Sequence, residues 1–363
     1  MTGDTYRSLS EKQGDDYGVY LQDEISITDN LELVAGARYD SHHSKDSFAG
    51  SGKVAGLDIP RITYNENAVN PRLALMYKVT SSLTFRTSLG TGFRVPYTFS
   101  EDLHLCSGSP RVYKPGGLKP EKSVSFNFGL DYFSDRCVVN TNIFRTELAD
   151  KIGFVDATSE LKSRGYDYLW QNIGDAYTQG IELGFRQLVT KDLTLGLNFT
   201  FTDARYKEKR GDWLMSREDY LAAWKEEYGT EKGTALFSKW WPKYERAGGN
   251  SRYIPRVPRI TGGLNLEYNP DNWNLVLDCV FTGRMYLDYF YDGAAPSEIK
   301  HTSPFIVFNP RISRKLSHGV SCYAGAKNLL DYVQEDKRPD DAAFMWAPYI
   351  GRIFYGGLKV VWM

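Results

Sequence analysis

Residues 193–202 read LTLGLNFTFT, and their side chains divide into two sets. Leu193, Leu195, Leu197, Phe199 and Phe201 fall on one face of an extended chain, and Thr194, Asn198, Thr200 and Thr202 on the other, because successive side chains of a β-strand point to opposite sides. The same period of two runs outward from this stretch in both directions. Upstream it organises Leu31 to Tyr39, Leu73 to Val79, Leu83 to Leu89 and Val124 to Tyr132. Downstream it returns in Leu264 to Tyr268, Trp273 to Phe281, Phe305 to Leu316, Val320 to Lys327 and Arg352 to Trp362. With further runs at about 17–27 and 177–188, the pattern predicts roughly thirteen strands. Around Asn140 to Arg145 and Phe305 to Pro310 the two faces do not separate cleanly.

The connections between these runs alternate in length. Short turns are expected at 28–30, 80–82, 134–136, 190–192, 269–272 and 317–319, and long polar and aromatic segments at about 41–65, 93–119, 150–168, 205–255, 284–303 and 328–348. Turns on one side and loops on the other describe an all-β, antiparallel up-and-down transmembrane β-barrel of the outer-membrane type, its long loops outside. One face of nearly every run carries Leu, Val, Phe or Tyr, which lipid tolerates; the other carries Arg, Lys, Asn, Thr, Ser or Gly, which suits a wet or plugged lumen. Tyr39, Tyr77 and Tyr132 fall at strand ends, at the expected level of the headgroups. A soluble antiparallel sheet with one solvated face is the competing reading; a propeller is not, since no blade motif repeats every ~40–45 residues.

Composition agrees. The chain has 363 residues, 25 Tyr, 33 Gly and a net charge of −1, a balance that favours β-structure and argues against nucleic acid as a partner. No apolar run approaches the roughly 18 residues of a helical membrane span, and mean hydropathy is negative, which excludes helical spans but not a barrel. Cys106, Cys137, Cys279 and Cys322 are scattered without zinc spacing and read as packing residues, with a disulfide between two of them left open. The polar N-terminus is no signal peptide, so either the protein is cytoplasmic or its true beginning lies upstream.

The stretch GTGFRVP at 90–96 is not a phosphate cradle: Val95 stands where a dinucleotide fingerprint needs its third glycine, and Pro96 follows. No catalytic constellation is found either, since G-x-S-x-G, H-E-x-x-H and P-loop patterns are absent. An outer-membrane barrel enzyme of lipase or protease type and a passive porin are the alternatives to a binding barrel.

The segments YGVYLQDEISITDNLELVAGARYD (17–40), NPRLALMYKVTSSLTFRTSLGTGFRVPYTFSED (70–102), GLKPEKSVSFNFGLDYF (117–133), NIGDAYTQGIELGFR (172–186), KNLLDY (327–332) and GRIFYGGLKVVW (351–362) resemble the successive barrel segments of TonB-dependent outer-membrane receptors. The likeness runs from about Tyr17 to Trp362. It implies a 22-stranded barrel of a Gram-negative outer membrane, of which this chain, residues 1–363, is expected to be the C-terminal part, its plug domain, TonB box and first strands absent. It also implies binding and transport rather than chemistry. The cargo class that the resemblance implies is haem, cobalamin or a ferric siderophore, and the partners it implies are the TonB complex, outer-membrane lipid, the barrel-assembly machinery and, as a further candidate, a surface lipoprotein.

Under that resemblance GTGFRVP marks the strand end leading into a large extracellular loop, and Glu101, Asp102, His104, Arg111 and Tyr113 become candidate ligand contacts. His104 is a candidate haem-iron ligand or a surface histidine. His42 and His43 meet at one metal only if they lie in a loop, because strand neighbours face opposite sides. Asp340 and Asp341 are candidate calcium ligands or a solvated acidic pair. Helical spacing around Trp213, Tyr220, Leu221, Trp224 and Tyr228, followed by Trp240 and Trp241, offers either stacking surfaces for a planar ligand or a packed lid. Trp362 is expected to carry the assembly signal, with Met363 on the opposite side.

Overall fold

The computed structural model describes residues 7–51, 59–96, 112–208, 217–249, 252–254, 257–285, 302–317, 319–333 and 351–361. Among them, thirteen strands form one antiparallel sheet in which each strand pairs with the next along the chain. They are β1 (Arg7–Thr28), β2 (Leu31–Ser51), β3 (Ile59–Lys78), β4 (Leu83–Arg94), β6 (Glu121–Phe133), β7 (Cys137–Ala149) and β10 (Ala176–Leu188). The series continues through β11 (Leu193–Tyr206), β12 (Ile260–Tyr268), β13 (Trp273–Thr282), β14 (Phe305–Ser317), β15 (Val320–Lys327) and β16 (Ile353–Val360). Three short strands, β5 (Val112–Tyr113), β8 (Ile152–Asp156) and β9 (Tyr168–Asn172), make a second sheet, and α1 (Ser159–Ser163), α2 (Arg217–Tyr228) and α3 (Thr230–Gly249) lie in the long connections. None of these helices is long and apolar enough to cross a membrane.

Register makes the two faces continuous across strands. Ile143, Ile181, Phe201 and Ile260 stand side by side on β7, β10, β11 and β12, and Leu195, Leu266 and Leu277 do so nearer the short turns. On β11 the apolar row ends at Phe201, after about 26 Å of strand at ~3.3 Å per residue, close to the height of a lipid-facing barrel band. Beyond it the same face turns polar: Arg145 donates to Gln179 at 2.5 Å, Arg205 to Asp203 at 2.7 Å, and Lys207 lies 3.2 Å from Glu147. This face is therefore built for hydrocarbon, with a charged border on the long-loop side.

The opposite face is wired by hydrogen bonds. Arg86 Nη2 donates to Asp131 at 2.8 Å and Asn140 donates to the same carboxylate at 2.7 Å; Asn142 donates to Glu182 at 3.0 Å and Asn274 to Glu267 at 3.0 Å. Such cross-strand pairs satisfy polar groups that no water-excluding core would tolerate unpaired. The short turns are tight. In the one joining β14 to β15, Gly319 sits at φ +77°, and a Cβ there would lie 2.5 Å from the carbonyl of Val361.

One expected loop is strand. The segment 41–65 carries most of its residues in β2 and β3, which run 21 and 20 residues, about twice the roughly 9–11 needed to cross a bilayer. Beyond Tyr39 and Val69 both faces lie outside hydrocarbon, so the sequence no longer alternates, although the ladder continues.

Candidate functional site

The prolonged β2–β3 hairpin is the wall against which two long connections pack on the polar side. His42, Ser44, Asp46 and Phe48 alternate onto that side of β2, and Ile62 and Tyr64 onto that of β3. The connection between β4 and β6 lays β5 against them, and that between β7 and β10 supplies β8, α1 and β9. The two connections are joined by parallel pairing of Val112 with Tyr168 and of Tyr113 with Leu169. Two loops thus become one cap.

Apolar burial holds the cap in two clusters. Ile62 and Tyr64 of the wall pack with Leu118, Ile152 and Trp170, flanked by Val95 and Val112. Ala157, Leu161 and Tyr166 form the second, with Phe48, Tyr113 and Leu169 against them. Each large buried side chain of this kind is worth about 1.5–3 kcal/mol in apolar transfer. Asn172 is the polar stitch: its Oδ1 accepts from Lys119 N at 2.9 Å, and its Nδ2 donates to the carbonyls of Lys119 at 3.0 Å and Asp150 at 2.7 Å. Asn172→Ala is expected to cost about 1–3 kcal/mol of cap stability by stranding these backbone groups. Faster proteolysis within 112–172 on intact membranes, with unchanged barrel content, checks this.

A charge pins the cap to the wall. Lys114 is wholly buried and donates to Asp46 at 2.6 Å, while Lys12 on β1 approaches the same carboxylate at 3.7 Å. The Lys114 ammonium also lies 5.5 Å from the centre of the Tyr64 ring, whose hydroxyl donates to the carbonyl of Pro115 at 3.1 Å. Above this pin Tyr113 meets Tyr166 edge-on at 5.2 Å, and Arg164 lies 5.6 Å over each ring. Burial and the neighbouring Asp156 and Asp167 raise the Tyr168 phenol above the ordinary tyrosine range, so it stays neutral.

The histidine pair resolves as the strand geometry requires. His42 points inward, with Nδ1 2.7 Å from Asp16 and Nε2 2.8 Å from Ser44, whereas His43 points outward and bonds Asn65. A shared metal for His42 and His43 is thereby overturned, since both lie in β2 and face opposite sides. Among the described residues no group of three or more His, Cys, Asp or Glu is placed to hold a metal. Asp16, His42 and Ser44 line up as a nucleophile relay would, but Ser44 has no exposed surface for an acyl substrate to reach.

Of the other candidate residues, Tyr113 sits in the second cap cluster and Trp240 and Trp241 in a helical hairpin. There Trp224 and Phe237 are buried, with Leu221, Tyr228, Leu236, Trp240 and Trp241 packed around them; Phe237 stacks on Trp241 at 5.6 Å. Gly229, at φ +80°, lets α2 turn into α3. Trp241 thus contributes to a packed hairpin. Glu101, Asp102, His104, Arg111, Trp213, Asp340, Asp341 and Trp362 lie outside the described residues. What the sequence did not single out is Lys114, Asp46, Asn172 and Tyr166, whose partners are brought together only by the cap.

An apolar outer face about one bilayer tall, a hydrogen-bonded inner face and a cap of long loops describe an outer-membrane receptor barrel. The family model for the TonB-dependent receptor-like β-barrel matches residues 2–329. The chain belongs to the TonB-dependent receptor family. Over 278 residues it is 23% identical to the ferric enterobactin receptor of Pseudomonas aeruginosa, covering 70% of this chain and 34% of that protein. It is 28% identical over 165 residues to the vitamin B12 transporter of Photobacterium profundum, covering 44% and 25% respectively. Among solved structures, the copper transporter OprC superposes with a TM-score of 0.67 at 16% identity, over 96% of this chain and 48% of that one. The ferric-catecholate import receptor Fiu of Escherichia coli gives 0.67 at 15%, over 97% and 45%. Likeness at this identity establishes the fold. The chain spans about a third of the length of the first of these curated relatives.

TonB-dependent receptors are proteins of the Gram-negative outer membrane, and they are transporters rather than enzymes. The barrel wall therefore stands in that membrane, with the long-loop rim extracellular and the short-turn rim periplasmic.

Proposed function

We propose that this chain forms the wall and extracellular cap of a receptor for TonB-dependent uptake of a large, scarce nutrient: a ferric siderophore, haem or cobalamin. The observation that carries the proposal is the interlocked cap of β5, β8, β9 and α1, held on the lumen side of the wall at the extracellular rim. A receptor needs loops preorganised to meet its cargo, and loops interlocked with each other and with the wall supply that. Interaction with TonB is what membership of the family implies. The names of relatives support the cargo class: a ferric enterobactin receptor and a vitamin B12 transporter are among them. Aromatic and ionic groups in the extracellular connections, including Glu101, Asp102, His104, Arg111 and Trp213, are the proposed contacts. Asp340 and Asp341 are proposed as a calcium pair, and Trp362 as the residue read by the assembly machinery.

The test uses the intact receptor. Binding of haem, cyanocobalamin and ferric enterobactin is measured on outer-membrane vesicles for wild type and for Glu101, Asp102 and His104 replaced together by alanine. The triple variant is expected to bind the cognate ligand at least tenfold more weakly at equal receptor content. Unchanged affinity removes this loop from the site, and no binding of any ligand class by wild type overturns the cargo assignment.

A further inference from the structure

The outward face of the wall is not uniformly filled. Across β12 to β16 it holds a groove of about 830 Å³, within the roughly 300–1,000 Å³ range of ligand clefts. Small side chains make its floor: Pro310 on β14, and Ala324 and Ala326 on β15. Ala324 pairs with Gly356 on β16 and Ala326 with Phe354. Leu266 and Leu277, adjacent on β12 and β13, form one bank, and Phe354 the other. Ala326 is buried although it lies on the outward face.

The groove has a polar end, and it lies toward the periplasm. Leu275 and Ile312, cross-strand partners on β13 and β14, line its lower part. One step further along the same face stand Trp273 and Arg314, themselves partners, next to the short turn that opens β13. The Arg314 guanidinium lies 4.8 Å over the Trp273 ring, and both side chains are exposed. Among the described residues Arg314 has no carboxylate partner. An indole with an unpaired guanidinium at the edge of an apolar band is placed for the headgroup level, where the cation meets phosphate and the ring anchors in the interface.

We infer that this groove and the Trp273–Arg314 pair together form a binding site for a glycerophospholipid of the periplasmic leaflet, its phosphate on Arg314 and an acyl chain along Ala324 and Ala326. Hydrocarbon surrounds the groove on the membrane side, so the occupant is a lipid chain rather than a soluble ligand. The position of the cation selects a lipid whose headgroup faces the periplasm. An acyl chain fills a trough that the wall's own side chains leave open, and the guanidinium supplies a charge-assisted contact to the phosphate.

The experiment adds 1-palmitoyl-2-oleoyl-phosphatidylglycerol to the detergent-purified intact receptor and counts bound lipids by native mass spectrometry. Wild type is expected to retain one lipid after annular lipid is lost. Arg314→Gln is expected to weaken that lipid about fivefold, the equivalent of ~1 kcal/mol per basic residue near anionic lipid. Ala324→Leu, which fills the trough and leaves the cation, is expected to weaken it by a similar factor. Heat-modifiability of both variants shows that the barrel has formed. Dioleoylglycerol, with chains but no phosphate, should bind wild type and Arg314→Gln alike. Equal phosphatidylglycerol binding by all three proteins overturns the site, and equal loss of dioleoylglycerol in Arg314→Gln overturns the headgroup assignment.

Discussion

Asp46→Ala is expected to release the inner cap from the barrel wall, at a cost of about 3 kcal/mol, while the barrel itself still inserts and stays heat-modifiable. The carboxylate of Asp46 lies 2.6 Å from the wholly buried Lys114 ammonium and 3.7 Å from that of Lys12. Removing the anion of a buried pair costs about 3–5 kcal/mol, because the cation stays in a medium that solvates it poorly. Lys114→Met is expected to be much milder. It removes the charge that needs compensation, leaves an unbranched side chain for the same space, and keeps Lys12 beside Asp46. The contrast separates loss of a pin from loss of packing. Protease sensitivity of segment 112–172 on whole cells is the readout, with cargo binding expected to fall in parallel. Equal sensitivity of the two variants would show that the cap rests on its apolar clusters alone.

Leu197→Arg should be more severe for the whole protein. Leu197 lies at the middle of the apolar row from Leu193 to Phe201, level with Phe185 and Leu264 on neighbouring strands. A cation at the midplane of a barrel's lipid face costs about 2–4 kcal/mol, and most assembled protein is expected to be lost. Thr200→Arg, three residues along β11 and on the lumen face beside Glu182, is expected to change assembled protein little. Heat-modifiable protein in outer-membrane fractions is the measurement; similar losses at both positions would mean the faces are assigned the wrong way round.

Much of the wall was legible because hydrocarbon on one side and polar lumen on the other impose a strict alternation of apolar and polar side chains. The runs from Leu193 to Phe201 and from Val124 to Tyr132 declare both strand and face, and the expected thirteen strands are the thirteen of the sheet. Where that contrast ends, so does the signal. Ser41 to Ser47 continues β2 but carries polar residues on both sides, so it reads as loop. β5, β8 and β9 escape notice for a different reason: at two to five residues each, they are too short to establish a period. The Asp46–Lys114 pair joins positions 68 apart through a loop whose path no local pattern fixes. Helical spacing did expose Trp224 and Tyr228 of α2, and their role as packing residues follows from the partner helix. His42 and His43 fall in the segment read as loop, and only the pairing of β2 with β3 puts them in a strand, where neighbours face opposite sides.

The unequal heights of the strands have a topographic consequence. β13 ends at Thr282 after 10 residues, whereas β2 reaches Ser51, 12 residues beyond Tyr39, so among the described strands one sector stands about 40 Å of strand above the apolar band and another barely clears it. Seen from outside the cell, the described part of the wall is tall at β2 and low at β13. Among the described strands, β2 and β3 are the ones that reach furthest toward an antibody or a phage tail arriving from outside. An affinity tag inserted between β2 and β3 is expected to be reachable on living cells.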